Sequence, residues 1–247
     1  MRRLLAGVAS FVGFVVLWKL VSVVGDYPDY ILPAPEAVIS RGSDALRSGL
    51  LLEHTLATLG QILAGFAVGA LAAVLAGVAL AKSVIAERVL SPYIVAAQAV
   101  PILALAPLLN IWFGGGMLAR VLICALIVFF PIAISTMVGI RGTDQQLVEL
   151  FRSLGARSGQ IATRLELPSA LPVLFGGLRV GVTLAVIGAV VAEWAGASVG
   201  LGVLINIANQ GLFDTPLMFV ALATLAVIGL VLYGLVSLVE RRVLASR

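Results

Sequence analysis

Six long runs of apolar residues, separated by short polar segments, dominate the chain. They cover residues 4–24, 55–81, 91–113, 118–140, 173–197 and 216–239. Each run has about the 20 residues that a helix needs to cross a hydrocarbon core of about 30 Å. Lipid offers backbone groups no partner, and runs this continuous lack the alternation of barrel strands. We therefore expect an all-α membrane bundle of six transmembrane helices, forming a single domain over residues 1–247.

Composition supports this interpretation and excludes a water-soluble fold. Of the 247 residues, 61% are hydrophobic and 11% are charged, against roughly 25% charged residues in soluble domains. The net charge is +4, but the basic residues lie between the apolar runs and form no stripe of the kind that binds nucleic acid. The single cysteine, Cys124, lies inside an apolar run, so one chain can form neither a disulfide nor a cysteine metal site.

The loop charges predict the direction of the spans, because short loops rich in Lys and Arg remain in the cytoplasm. With the N-terminus inside, eleven of the sixteen basic residues fall on the cytoplasmic side: Arg2, Arg3, Lys82, Arg88, Arg141, Arg152, Arg157, Arg164, Arg241, Arg242 and Arg247. Both termini are therefore expected in the cytoplasm. Residues 4–24 are expected to remain as a span, because the run is longer than the roughly 7–15 residues of a signal-peptide core.

Proline and glycine modify two of the predicted spans. The third contains Pro92, Pro101 and Pro107, each of which removes an intrahelical hydrogen bond. A bent or broken helix is tolerated in a membrane only against protein or water, so this span is expected in the bundle interior. Its prolines either mark the transport pathway or are simple kinks that serve helix packing. In the second span, Gly65 and Gly69 permit close helix packing.

The connection 141–172 is the only predicted cytoplasmic segment long enough to fold by itself. Thr143 and Gln146 fit a capping box, and apolar residues recur at helical spacing up to Gly155, which is placed to end the helix. Ser158 is then expected to cap a second helix, which should stop at Leu167-Pro168 because a residue before proline disfavours helical geometry. Such an amphipathic pair could also simply lie in the membrane interface.

The spacing in this loop resembles a motif of binding-protein-dependent ABC transporter permeases. Their pattern E-A-A-x-x-x-G, nine residues, then I-x-L-P is similar to Glu149-Leu150-Phe151, Gly155 and Leu165-Glu166-Leu167-Pro168 here. Leucine and phenylalanine replace the two alanines, and leucine replaces the isoleucine, so the contact surface should be bulkier. Further similar stretches point to the nitrate, sulfonate and taurine branch, which has a type I importer fold: residues 32–35, 63–66, 107–109, 111–114, 152–156, 167–172 and 200–202.

This resemblance implies a permease of the bacterial inner membrane that is not itself an enzyme. It implies a homodimer, two copies of an ABC ATPase that bind ATP and Mg, and an extracytoplasmic binding protein that delivers the solute. No cofactor or metal is expected in this chain. The loop would be the coupling helix that docks on the ATPase, through Glu149, Leu150, Phe151, Leu154, Gly155, Ala156, Leu167 and Pro168. Where the family usually has arginine, this chain has Gln61.

The resemblance also implies a cargo, with two alternatives. A nitrate-, sulfonate- or taurine-like anion is expected from the branch. An anion should, however, meet cationic side chains or helix N-termini along the pathway, and the sequence offers few of these. Import of riboflavin or of the thiamine pyrimidine by the same machinery is therefore the alternative.

A few polar residues within the spans are candidates for the pathway or its gate. Glu193 is the one carboxylate well inside a span, where a charge costs roughly 2.5–3.5 kcal/mol on insertion scales. It either lines the pathway or is solvated at the outer interface beside Trp194. Gln98 and Asn110 either line the path or hydrogen-bond between helices.

Two other functional classes are less consistent with the sequence. An ion-coupled secondary carrier favours paired intramembrane ionisable residues and inverted repeats, whereas only Glu193 is found and no repeat is evident. An intramembrane enzyme would need a zinc or Ser-His site, but His54 is the only histidine, and it lies at an outer span edge. The chain also lacks a P-loop, so ATP chemistry must belong to a partner.

Overall fold

The computed structural model describes residues 2–245, with side chains at all of these positions except 2–8, 11, 84, 86, 90, 91, 94, 95, 97, 98, 211 and 212. Its regular elements are all helical, which confirms the all-α class. They are α1 Arg2–Val24, α2 Pro35–Arg47, α3 Leu50–Lys82, α4 Val84–Ala99, α5 Ile102–Phe113, α6 Met117–Arg141, α7 Gln145–Ser153, α8 Ser158–Ile161, α9 Leu167–Trp194, α10 Leu201–Ile207 and α11 Thr215–Ala245. Two π-helical turns, Ala162–Glu166 and Ala208–Leu212, follow α8 and α10.

Four helices in the described part of the chain are long and apolar enough to cross a membrane. They are Leu50–Lys82, Met117–Arg141, Ser158–Trp194 and Thr215–Ala245, and they contain the second, fourth, fifth and sixth predicted spans almost entirely. Two shorter apolar helices, Val12–Val24 and Ile102–Phe113, lie in the first and third predicted spans. The count of six spans stays a prediction.

The third predicted span, 91–113, is not a single helix. Helix α4 ends at Ala99 and α5 begins at Ile102, with the backbone extended at Pro101 (φ −63°, ψ 110°). Pro101 has no N–H to donate, and its ring disfavours helical geometry at Val100. Pro92 and Pro107 lie inside α4 and α5 without ending them.

The expected helix stop at Leu167-Pro168 is wrong, because α8 continues through a π-helical turn into α9. In this turn the N–H of Leu167 donates to the carbonyl oxygen of Ala162, five residues earlier, instead of four as in an α-helix. Pro168 follows this turn directly and does not end the helix. The result is one continuous helix, Ser158–Trp194, so only a short segment of the predicted loop 141–172 separates it from α6.

Residues 1–58 and 198–226 form one compact unit. Within it, His54 is buried and its Nδ1 lies 2.7 Å from Gly200 O, while Thr58 Oγ1 accepts a hydrogen bond from Leu201 N at 2.7 Å. The polar pair thus holds the turn before α10. At the start of α11, Asp214 accepts hydrogen bonds from Leu217 N (3.0 Å) and Arg41 Nε (2.6 Å).

Residues 59–197 and 227–247 form the second compact unit. Its helices approach closely at small residues. A Cβ at Gly69 of α3 would lie 2.6 Å from Ala125 O of α6, and one at Gly181 of α9 would lie 2.6 Å from Ile132 Cδ1. Helix α6 is therefore in close contact with both α3 and α9. The close helix packing that the glycine spacing of α3 predicts is found against α6.

Candidate functional site

The candidate docking element is a helical hairpin, defined here as residues 144–166, that contains α7, α8 and the π-helical turn. Asp144 caps the start of helix α7, because its carboxylate accepts a hydrogen bond from Gln146 N at 2.8 Å. The predicted capping box at Thr143 is wrong: Thr143 is buried, and its hydroxyl has no hydrogen-bond partner among the described residues. A carboxylate at this position also interacts favourably with the helix dipole, which explains why the helix begins one residue later.

The hairpin turn is built around Gly155, as its position in the sequence predicts. Gly155 has φ +79°, a left-handed conformation that favours glycine. Its N–H donates to Arg152 O at 3.0 Å, and Ala156 N–H donates to Phe151 O at 3.0 Å, which together form a Schellman end. The second helix is then capped by Arg157, whose N–H donates to the Gln160 side chain at 2.8 Å, so Ser158 is its first residue and not its cap.

A small apolar core joins the two arms of the hairpin. Val148 of α7 packs with Ile161 and Leu165, and all three are buried. Phe151 and Ala156, two of the residues predicted to dock, pack against this cluster and belong to the inside of the hairpin. Because α8 continues into α9, the hairpin is attached directly to a long spanning helix.

A neighbouring face of α7 presents apolar side chains to the surroundings. Leu147, Leu150 and Leu154 are 43%, 51% and 76% exposed, at positions that share one helix face. Glu149 is exposed, and Leu167 lies half-exposed at the start of α9 together with Pro168. The hairpin thus has two apolar parts. One is the internal cluster that joins its arms, and the other is an exposed leucine surface, defined here as Leu147, Leu150 and Leu154.

Ion pairs near the hairpin were not anticipated from the sequence. Arg141, the last residue of α6, pairs with Glu87 of α4 and donates to Leu80 O of α3 at 2.9 Å. The hydrogen bond that the Arg141 side chain donates to Glu87 lowers the pKa of Glu87 from its ordinary value. Lys82 at the end of α3 pairs with Glu166 in the π-helical turn. The sequence does place opposite charges near the ends of these helices, which is a signal for ion pairs. Which charges pair, however, depends on which helix ends meet in the fold.

The polar candidates within the spans have different environments. Glu193 is 1% exposed, which excludes the interpretation that it is solvated at the interface. Asn110 at the end of α5 donates from Nδ2 to Ala195 O, just beyond α9, so it connects two helix ends. Its Oδ1 and the Oε1 of buried Gln61 have no hydrogen-bond partner in the described part of the chain. The side chain of Gln98 lies outside the described residues.

A pocket of about 470 Å³ opens at the break between α4 and α5. It is lined by Val100, Pro101 and Ile102 at the break, by Ile127, Phe130 and Pro131 of α6, and by Leu184, Ile187 and Val191 of α9. All nine side chains are apolar, so its polar surface is main chain. No charged side chain is among these lining residues.

Comparison with known proteins identifies the class. Residues 65–245 match the family described as binding-protein-dependent transport system inner membrane component. The chain is 50% identical over 226 residues to the riboflavin transport system permease protein RibX of Chloroflexus aurantiacus (92% of this chain, 84% of the relative). It is 35% identical to the formylaminopyrimidine transport permease protein ThiX of Halalkalibacterium halodurans (96% and 94%) and 28% identical to the taurine transport system permease protein TauC of Escherichia coli (98% and 89%).

The fold is also that of a solved importer. A chain of the MetNI methionine ABC transporter in an inward-facing conformation superposes with a TM-score of 0.66, at 21% identity, over 81% of this chain and 97% of that one. The chain therefore belongs to the binding-protein-dependent transport system inner membrane component family. It is a multi-pass inner-membrane permease component of an ABC importer, which confirms the resemblance drawn from the loop motif.

Proposed function

We propose that this permease imports a riboflavin-like or pyrimidine-like vitamin or precursor, delivered by an extracytoplasmic binding protein. The observation that carries this proposal is the 50% identity to a riboflavin permease, compared with 35% to an aliphatic sulfonates permease and 28% to a taurine permease. The apolar pocket at the α4–α5 break supports it, because Phe130 and aliphatic side chains suit the faces of a heteroaromatic ring. Main-chain groups there could pair with the ring edges. A nitrate-, sulfonate- or taurine-like anion is the second candidate.

The proposed topology has six spans, with α1 as the first and the broken pair α4 and α5 as the third. Both termini and the 144–166 hairpin then lie in the cytoplasm, as the distribution of basic residues favours. A broken third span is consistent with a position beside the pathway, because unpaired main-chain groups are tolerated in a membrane only against protein or water. Two copies of the chain would enclose one pathway.

The leucine surface would dock on a partner ATPase that binds ATP and Mg. Leu150 and Leu154 are exposed where an apolar groove could cover them, with Glu149 beside them. The packed hairpin would move as one body when the ATPase closes, and its direct continuation into α9 would carry that movement into the membrane. Glu193, Asn110 and Gln98 are the residues we propose for the gate or pathway.

Reconstitution tests both parts of the proposal. Proteoliposomes containing the permease, its ATPase and its binding protein should take up labelled riboflavin or formylaminopyrimidine only when ATP is inside with the ATPase. Uptake of taurine in preference to both compounds would overturn the cargo proposal and leave the importer intact. Uptake by the permease alone, without an ATPase, would instead indicate a secondary carrier.

A further inference from the structure

Another pocket, lined largely by polar side chains, lies between α9 and the last turns of α11, apart from the hairpin and from the α4–α5 break. Its volume is about 390 Å³, and Arg179, Tyr233, Ser237, Glu240 and Arg241 line it. Tyr233, Ser237 and Arg241 recur every four residues, so they share one side of α11. Gly234 leaves space at the wall, since a Cβ there would meet nothing within 4 Å.

The charges of this pocket leave one cation available. Arg179 Nε lies 3.4 Å from Glu240 Oε2, and the two charges balance. Arg241 is exposed and has no ion pair among the described residues. The lining groups therefore carry a net charge of +1, which is two arginines less one glutamate.

An unpaired hydroxyl is the independent sign of a ligand. Ser237 Oγ is buried, yet it has no hydrogen-bond partner in the part of the chain that the structure describes. Leaving a buried polar group unsatisfied costs roughly 1–3 kcal/mol. The unpaired hydroxyl of this pocket-lining residue is accounted for when an acceptor binds there.

We propose that this pocket binds the phosphate group of an anionic phospholipid. A guanidinium group and two hydroxyls, from Ser237 and Tyr233, are suited to phosphate oxygens. The lipid is favoured over a free anion by position, because the pocket lies near the end of a spanning helix, where basic residues meet the headgroups. Leu238, which also lines the pocket, is 55% exposed and would contact the acyl chain.

Native mass spectrometry of the purified permease with added phosphatidylglycerol or phosphatidylcholine tests this site. The wild type should retain phosphatidylglycerol in preference to phosphatidylcholine. R241Q should weaken that retention about tenfold, the loss expected for one charge-assisted hydrogen bond. R242Q is the matched control, because it removes the same charge from the next residue, which does not line the pocket. It should change retention less than about twofold. S237A should weaken retention a few-fold.

Three results would overturn the proposal. Equal losses in R241Q and R242Q would mean that the helix end attracts anionic lipid without a built site. Displacement of phosphatidylglycerol by inorganic phosphate would mean that the pocket binds the free anion. Equal retention of the two lipids by the wild type would mean that no anionic headgroup is recognised. Monodisperse gel filtration of each variant ensures that a loss reflects binding, and the outcome does not depend on the cargo.

Discussion

At the scale of single residues, the glycine in the hairpin turn has a left-handed backbone conformation that the other glycine of the hairpin does not have. Gly155 has φ +79°, whereas Gly159, four residues later in α8, has ordinary helical geometry and open space around its Cβ position. A side chain in the left-handed region costs roughly 1–2 kcal/mol, but in a helix alanine is favoured over glycine. The two glycines therefore form a matched pair.

G155A should loosen the hairpin and reduce ATP-driven uptake several-fold while the protein still inserts. G159A should leave uptake unchanged, because it adds only a methyl group to a helix with open space. Uptake and ATP hydrolysis in proteoliposomes measure the effect, with continued hydrolysis in G155A indicating lost coupling. Wild-type uptake in G155A would contradict the role that we propose for the turn.

The leucine surface allows a second prediction about single residues. L154D places a charge on the most exposed leucine of the hairpin, which is 76% exposed, so the fold should tolerate it. Association with the ATPase should fall by about tenfold or more if this side chain is buried in a groove, because a charge would be desolvated there. Co-purification of the ATPase measures this. Q146E, which adds the same charge at an exposed position of α7 outside the predicted docking residues, is the control, and unchanged association in L154D would exclude docking through Leu154.

At the scale of elements, glycine contacts determine how closely α3 and α6 approach. G69A would place a Cβ 2.6 Å from Ala125 O, a main-chain atom that cannot move without shifting α6. We expect a loss of roughly 1–3 kcal/mol of stability and a lower melting temperature in detergent. G176A is the control, because a Cβ there meets nothing within 4 Å. Equal melting temperatures for the two variants would show that the close contact is not needed.

The Glu87–Arg141 pair joins the start of α4 to the end of α6 and predicts an acid dependence. The hydrogen bond from Arg141 lowers the pKa of Glu87 below 4.5, its ordinary value. The contribution of the pair to stability is therefore full above pH 4.5 and is lost as pH falls through the lowered pKa. The melting temperature of E87Q should lie slightly below that of the wild type at neutral pH, and the difference should vanish in acid. A difference that persists in acid would contradict this.

Much of the element pattern was predictable, and the errors have particular causes. The spanning helices follow from uninterrupted apolar runs, because lipid permits few other structures. Three prolines in one span looked equivalent, yet only Pro101 ends a helix, since the outcome depends on the packing around each. Thr143 and Asp144 are both competent caps, and the sequence does not rank them. The π-helical turn that accommodates Pro168 depends on a shifted hydrogen-bond register that no periodicity reveals.

The structural settings of the candidate residues were predictable in a similar, partial way. The loop motif located the hairpin and Gly155 because its geometry is local. The division between Phe151, which packs inside, and Leu150, which faces out, required the arms of the hairpin to be placed. The burial of Glu193 could not be inferred either, because the depth of a side chain depends on the helices around it. The pocket at the α4–α5 break combines three elements that are distant in sequence.

At the scale of the whole molecule, the cargo proposal requires that the pocket at the α4–α5 break lie on the transport path. Phe130 lines this pocket, whereas its neighbour Phe129, whose ring centroid is 5.3 Å away, does not. The same substitution at the two positions therefore separates a contact with cargo from a general loss of aromatic packing, since each removes one phenyl ring.

F130A should lower riboflavin uptake at limiting cargo by about two- to tenfold, the range expected when roughly 0.5–1.5 kcal/mol of aromatic contact is lost. F129A should lower it less than about twofold if aromatic packing alone is affected. The assay uses proteoliposomes with the ATPase and binding protein, and hydrolysis stimulated by the loaded binding protein shows whether coupling is intact. Because both variants lose a ring, equal uptake would place the cargo elsewhere, whereas a loss in F130A alone, with hydrolysis retained, would support passage through this pocket.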